Sequence, residues 1–275
     1  MNKFEKLVEQ YGVHLSLGVC TAVFTLLPES LFNLWHILSR MPMGINILFN
    51  RLIFCAVVFV ACGIGYKIYY SKRKSVMVEG ANFQIKIEYG DLLSISDGKK
   101  VINFDECFST DVGDEPYEIK PGSVCGQYIK TYGRPDIKRL VKKYNLKPER
   151  DASQYQDKAR YESGRILPKD DFLLMAFAKL DKDGLGHLTY DEYLKCLDVL
   201  WDEIDKYHGG SNDVYIPVLG SNITRFDKEL TQQQLLDIMI ASYRLSPKKL
   251  RSPCTLHIVC RPRRGFSLNN IFGIS

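Results

Sequence analysis

The sequence predicts an α/β protein in two parts, a transmembrane hairpin of two helices over residues 1–75 and a cytosolic domain over 76–275 whose mixed central sheet carries helices on both faces. Three observations carry that reading. Two apolar runs lie near the N-terminus, separated by a short polar connection. From residue 82 onward, strand-like and helix-like stretches alternate. Residues 213–225 (DVYIPVLGSNITR) form a β-branched run that stops abruptly at turn formers, the pattern of a buried strand delivering a loop.

Composition sets the outer bounds. At 275 residues, with 45% hydrophobic and 25% charged content, the chain has material for one large or two modest domains and no signature of global disorder. Lys and Arg (37) exceed Asp and Glu (32) by too little to argue for nucleic acid as a partner. Eight cysteines without a C-x-x-C pair or a dense framework point to reduced thiols in a cytosolic setting.

Residues 13–27 are almost wholly apolar, 31–38 continue the trend after Pro28, Glu29 and Ser30, and 52–70 form a longer, cleaner run. Roughly 20 apolar residues cross the hydrocarbon core. The second run qualifies, and the first does so with its end at the interface. The expected spans are about 12–33 and 46–70, and Trp35, His36, Arg40 and Arg51 lie between the two apolar runs. Glu5 and Glu9 ahead of the first run, and no small-x-small cleavage site after it, speak against a secretory signal peptide. Lys3 and Lys6 precede the first run, and Lys67, Lys72, Arg73 and Lys74 crowd the exit of the second. Both termini are therefore expected on the cytoplasmic side of the cell inner membrane. Gly18 with Ala22, and Ala61 with Gly65, are small residues four apart, a spacing that lets membrane helices of neighbouring hairpins approach closely.

In the second part, Phe83, Ile85 and Ile87 alternate with Gln84, Lys86 and Glu88, a half-buried strand that ends at Tyr89, Gly90 and Asp91. Residues 101–104 read as a short strand. An acidic loop over 111–118 follows, then a helix-like stretch over 123–129. A helix over 135–144 puts Ile137, Leu140 and Val141 on one face and Lys138, Arg139, Lys142 and Lys143 in solvent. The polar stretch 149–164 is a loop, 166–167 and 172–180 read as strands, and the short apolar run 172–180 fits a helix as well. Residues 189–208 form a long amphipathic helix on Tyr193, Leu194, Leu197, Leu200, Trp201 and Ile204. After the turn formers Gly220, Ser221 and Asn222, 231–243 is helical, and a last strand over 255–260 leads to a basic turn, 261–264. Small residues between a strand and a helix let backbone N–H groups converge on an anion, and an ordinary connection accounts for the same residues.

One stretch competes for a different function. Asp181, Asp183, Gly186 and Glu192 stand in the register of an EF-hand calcium loop. Leu185, however, occupies a position that needs an oxygen ligand, and there is no second copy. A turn between strand and helix, with Thr189 as N-cap and Glu192 closing a capping box, uses the same residues, so calcium is expected to have no effect. Elsewhere there is no H-E-x-x-H, P-loop or G-x-S-x-G, and the five histidines have no ligand spacing. His257, in the last strand, reads as a hydrogen-bonded core residue. No catalytic residue, metal or cofactor is expected.

Taken in order, the turn at Gly90, Asp91 and Leu92, the strand Val101, Ile102 and Asn103 with its Phe-rich sequel, residues 123–129, and 217–225 resemble a macro domain. With the hairpin ahead of them, they resemble more closely the divergent macro domain of the membrane-anchored effector in the Thoeris anti-phage defence family. That resemblance implies a macro-like three-layer α/β/α domain. It implies Asp91 at adenine, Asn103 along the distal ribose, and Gly220, Ser221, Asn222 and Ile223 around a diphosphate, with Arg225 as a further phosphate contact. The expected ligand-lining set extends to Leu92, Phe104, Asp105, Phe108, Ser123, Leu219 and Thr224. It also implies an ADP-ribose derivative as ligand, a cyclic isomer or an amino-acid conjugate included. A TIR-domain partner would make it, and homo-oligomerisation in the lipid bilayer would be the response. Two departures stand out. The glycine run that follows the Asn in hydrolytic macro domains is missing from 104–110, so binding rather than turnover is expected. Asn222 replaces the third residue of the usual Gly-Ser/Thr-Gly loop, and Asn tolerates left-handed backbone better than most residues. The competing class is a membrane-tethered hydrolase that processes ADP-ribose.

Overall fold

The computed structural model describes residues 3–26, 28, 32, 42–210, 212–221 and 224–271. The chain divides into two compact units, Met1–Lys74 and Ser75–Ser275.

The first unit pairs helix α1 (Lys3–Leu26) with helix α2 (Met43–Ser71). Its polarity is reversed relative to a water-soluble helix pair. Ser16, Cys20, Asn46 and Asn50 are buried, whereas Leu17, Leu48, Leu52, Val57, Phe59, Val60 and Ile64 are exposed. Residues Met43–Ile68 of α2 have a mean hydropathy of 2.3 and are long enough to cross a bilayer. The apolar part of α1, Val13–Leu26, rises only about 20 Å at 1.5 Å per residue, against about 30 Å of hydrocarbon. The expected first span, 12–33, thus has a described helix only as far as Leu26, and most of 27–33 lies outside the described residues, as do Trp35, His36 and Arg40. Arg51 lies ahead of the second apolar run but within the expected span 46–70. It sits inside α2, because the apolar stretch after Pro42 starts the helix at Met43. Its guanidinium lies 5.4 Å from the ring centroids of both Phe24 and Phe32, a cation–π arrangement that is worth more away from water. Asn50 Nδ2 donates to the Phe32 carbonyl at 2.6 Å. Gly18, Ala22, Ala61 and Gly65 all lie on the outside or partly outside, and a Cβ added at Gly18 or Gly65 would meet nothing.

The second unit contains strands β1 (Ser75–Glu79), β2 (Gln84–Tyr89) and β3 (Lys99–Asp105), helices α3 (Val124–Tyr132) and α4 (Ile137–Tyr144), and strands β4 (Ile166–Lys169), β5 (Phe172–Leu180) and β6 (Gly186–Leu188). Helix α5 (Tyr190–Tyr207), β7 (Val214–Pro217), β8 (Arg225–Phe226), α6 (Gln232–Leu245) and β9 (Leu256–Cys260) complete it. The sheet order is β1-β2-β9-β7-β3-β5-β6-β8, with β4 also paired to β5. The five strands β2, β9, β7, β3 and β5 run parallel, and antiparallel partners flank them. This is the predicted mixed sheet.

Side chains alternate across a strand, so a sheet covered on both faces needs apolar residues at successive positions. Strand β5 shows it directly. Leu173, Met175 and Phe177 join the core under α5 and α6, while Phe172, Leu174 and Ala176 join the core under α3 and α4. Val101 and Ile102 of β3 divide the same way. The result is three layers. Trp201, at the centre of the α5/α6 layer, donates from Nε1 to Ser242 Oγ at 2.9 Å, which satisfies its one polar atom.

Three strands escaped the sequence reading. β6 and β8 are only 3 and 2 residues long, too short for any period to register. β1, with burial alternating along SVMVE, directly follows the basic exit of the hairpin and reads as part of it. The stretch 172–188 lacks the helix that precedes an EF-hand loop, because 172–180 is a strand and 181–185 turns it into β6. Thr189 and Glu192 form the capping box, with Thr189 N–H to Glu192 Oε2 at 2.8 Å. Glu192 Oε1 accepts from Lys179 Nζ at 2.7 Å. No cluster of three or more possible metal ligands exists among the described residues.

Candidate functional site: a two-part cleft at the carboxyl ends of the strands

The connections decide where a cleft can form. From β3 the chain crosses by α3 and α4 to β5 on one side, and from β5 it returns by α5 to β7 on the other side of β3. Neighbouring parallel strands whose connections diverge leave a crevice beyond their carboxyl ends. That crevice is present. The empty space of its first compartment is about 740 Å³, open solvent at its mouth included. Asn103 of β3, Ser123 at the N-cap of α3, the Gly220–Ser221 turn after β7 and Gln232 at the start of α6 converge on it. Gly90, Leu92, Val259, Arg261 and Arg263 close the side formed by β2 and β9.

A second compartment adjoins the first and shares Asn103, Ser123 and Thr224 with it. Its walls are Phe104 and Asp105, the 116–120 loop, the end of β5 and the 184–186 turn, with Arg225 at the edge. Asp105 Oδ1 accepts from the Cys107 N–H at 2.8 Å and the Ser109 N–H at 3.1 Å. Burial nevertheless raises its pKa, since those bonds offset the desolvation only in part. The neighbouring Cys107 thiol is pushed up to about 11, chiefly by burial. It is poorly suited to act as a nucleophile.

The predicted ligand-lining residues divide into three groups. Leu92, Asn103, Ser123, Gly220, Ser221 and Thr224 line the first compartment, and Phe104, Asp105 and Arg225 line the second. Asp91, Phe108 and Leu219 line neither. Asp91 is exposed, and its Oδ1 caps the short 3-10 turn Leu92–Ser94 through the Leu93 N–H at 3.4 Å. Phe108 is buried among Phe104 and Tyr161 with φ 52°. Leu219 is buried, and its carbonyl accepts from Tyr193 Oη at 3.4 Å. Asn222 and Ile223 fall outside the described residues.

Gly220 has φ 76°, and a Cβ there would come within 2.5 Å of the Phe226 ring. Only glycine fits that turn comfortably. Arg225 pairs through β8 with His187 of β6 and faces the second compartment. Three polar lining residues of the first compartment were missed in the sequence: Gln232, Arg261 and Arg263. The basic turn 261–264 was visible, but only the parallel pairing of β9 between β2 and β7 brings it to the cleft.

The sequence model of the macro domain of Thoeris protein ThsA matches residues 85–261. The chain belongs to this family. A curated relative, Thoeris protein ThsA from Bacillus amyloliquefaciens (strain Y2), is 34% identical over 186 residues. That match covers 64% of this chain and 62% of the relative, so the chain spans somewhat under two thirds of the relative's length. Among solved structures, a mutant macrodomain from Oceanobacillus iheyensis matches 70% of this chain and 92% of its own, with a TM-score of 0.46 and 10% identity. The family match begins at Ile85 in β2 and ends at Arg261 just after β9, so it brackets the cleft-forming strands.

Proposed function

We propose that this ThsA-type macro-domain protein is a membrane-anchored anti-phage effector that binds an ADP-ribose-derived nucleotide supplied by a TIR-domain partner. Binding drives hairpins to assemble and breach the inner membrane. One observation carries the binding half of the reading: the cleft between β7 and β3, where Asn103, Ser123 and the Gly220–Ser221 turn meet. Membership of the family supports the setting in phage defence. The outward apolar face of α2 and the small residues on the outer surface support assembly within a bilayer. A hairpin of two helices encloses no water path alone, so damage requires several copies. A nucleotide drives that step only by binding the assembled form better, about 10⁴-fold for a nearly complete shift.

Binding without turnover is favoured over hydrolysis, since 104–110 contains no glycine and the space beside Asn103 is walled by Phe104 and Asp105. Titration calorimetry of the full chain in nanodiscs, with ADP-ribose, its cyclic isomers and its amino-acid conjugates, tests the reading. Asn103→Ala is expected to weaken the best ligand by about 1–3 kcal/mol, the cost of an unpaired buried partner. Dye release from liposomes carrying the chain should then require that ligand. Release of equal size without it, or steady conversion of the ligand, would overturn the effector reading. Protease added outside sealed cells is expected to spare the 76–275 domain, as both termini on the cytoplasmic side require.

A further inference from the structure

We propose that Arg261 is the phosphate-contacting residue of the cleft, receiving a ligand that carries a diphosphate or a comparable pair of anionic groups. The assignment rests on the nucleotide reading above and narrows it to one side chain outside the Gly220 loop and distinct from Arg225.

Placement comes first. Arg261 directly follows β9, where Val259 pairs with Pro217 of β7, so the residue emerges beside the Gly220–Ser221 turn. Its own carbonyl accepts from Gln232 Nε2 at 3.1 Å, which pins its backbone to the first residue of α6. The side chain then reaches the opposite wall. Nη1 donates to the Gly122 carbonyl and Nη2 to Gln127 Oε1, each at 3.3 Å.

Both acceptors are neutral, and both distances are at the long end for N–H to O bonds. They orient the guanidinium without neutralising it. A planar guanidinium held at a cleft wall matches two phosphate oxygens in a bidentate fork, which a lysine ammonium does not. The surroundings add the same sign. Ser123 caps α3 and Thr231 caps α6, so two helix N-termini face the same compartment as the arginine. A cation beside helix N-termini is unfavourable unless an anion joins them. Arg263 supports the arrangement from the neighbouring position, with Nη1 donating to the Ser221 carbonyl and bracing the turn. Arg225, by contrast, lines only the second compartment.

The experiment measures binding of ADP-ribose, and its displacement by inorganic pyrophosphate, to the full chain in nanodiscs. Four proteins are compared: wild type, Arg261→Gln, Arg261→Lys and Arg264→Gln. Arg264 is on the same turn but does not line the cleft, so its variant makes the same charge change away from the ligand. Arg261→Gln is expected to weaken ADP-ribose at least tenfold and to abolish displacement by pyrophosphate. Arg264→Gln should stay within threefold of wild type, and Arg261→Lys should recover only part of the loss. Arg261 is exposed, and matching melting curves show that its variants fold. Wild-type affinity in Arg261→Gln, or equal losses in Arg261→Gln and Arg264→Gln, overturns the assignment while leaving the nucleotide reading in place. A wild type that binds neither probe overturns both.

Discussion

The two units of this chain bury opposite kinds of residue. In the hairpin the described helices hide Ser16, Asn46 and Asn50 and expose leucine, valine and phenylalanine, whereas the domain hides Trp201, Tyr193 and the strand aliphatics. An apolar surface as continuous as that of α2 is unfavourable in water, and Met43–Ile68 is long and apolar enough to cross a membrane. The lesson is that burial has meaning only relative to the medium outside.

The largest effect that sharpens this contrast is expected inside the domain. Trp201→Ala should cost about 3–5 kcal/mol of stability, measured by denaturant unfolding of the full chain in nanodiscs. A loss below 1 kcal/mol would mean that the α5/α6 core does not hold the fold.

Next comes a paired substitution. Val57→Asp places a carboxylate on the outward face of α2 and should cost about 2.5–3.5 kcal/mol of insertion, read as loss of the chain from carbonate-washed membranes. Met77→Asp, on the exposed side of β1, should change stability by no more than about 0.5 kcal/mol. Equal behaviour of the two variants would break the comparison.

A smaller effect is expected where a polar group is structural. Thr189→Ala removes the cap of α5 and should cost about 0.5–2 kcal/mol, seen as a lower melting temperature.

The smallest effect depends on pH. Burial acts to raise the Glu192 pKa, but Lys179 and the Thr189 N–H outweigh it and hold the carboxyl at about 2, against 4.5 when free. A lowered folded-state pKa means that stability from Glu192 is present above pH 4.5 and is lost as the pH falls through about 2. Melting curves of wild type and Glu192→Gln should therefore differ above pH 4.5 and converge toward pH 2. A difference that persists at the lowest pH would show that the carboxylate charge is not what matters there.

Much of the fold was legible because its signals are local. Residues 84–89 alternate, 190–207 repeat at helical spacing behind a Thr-Glu capping pair, and 231–245 do so behind Thr231 and Gln234. Residues 172–180 were readable as apolar but not as strand or helix by period alone, and the two readings implied different chemistry at 181–192. Pairing with β3 and β4 settles it. Phe108 shows a different limit. Its place after the Asn strand suggested a ligand contact, but a backbone at φ 52° turns the ring into the lower core.

The sequence by itself determined the division into an apolar hairpin and an α/β domain, the type of most elements, and the residues of the cleft that sit on β3 and on the turn after β7. The division and the element types follow from periodicity and turn chemistry within a dozen residues, whereas the resemblance to macro domains is what singled out Asn103 and the Gly220 turn. Only the tertiary structure decided that Arg225 and Arg261 belong to different compartments, and that Asp91 caps a turn outside both. Strand order is a long-range property. β9 enters between β2 and β7 although 166 residues separate Tyr89 from its first residue (256 − 90), and no local pattern records where a last strand will insert.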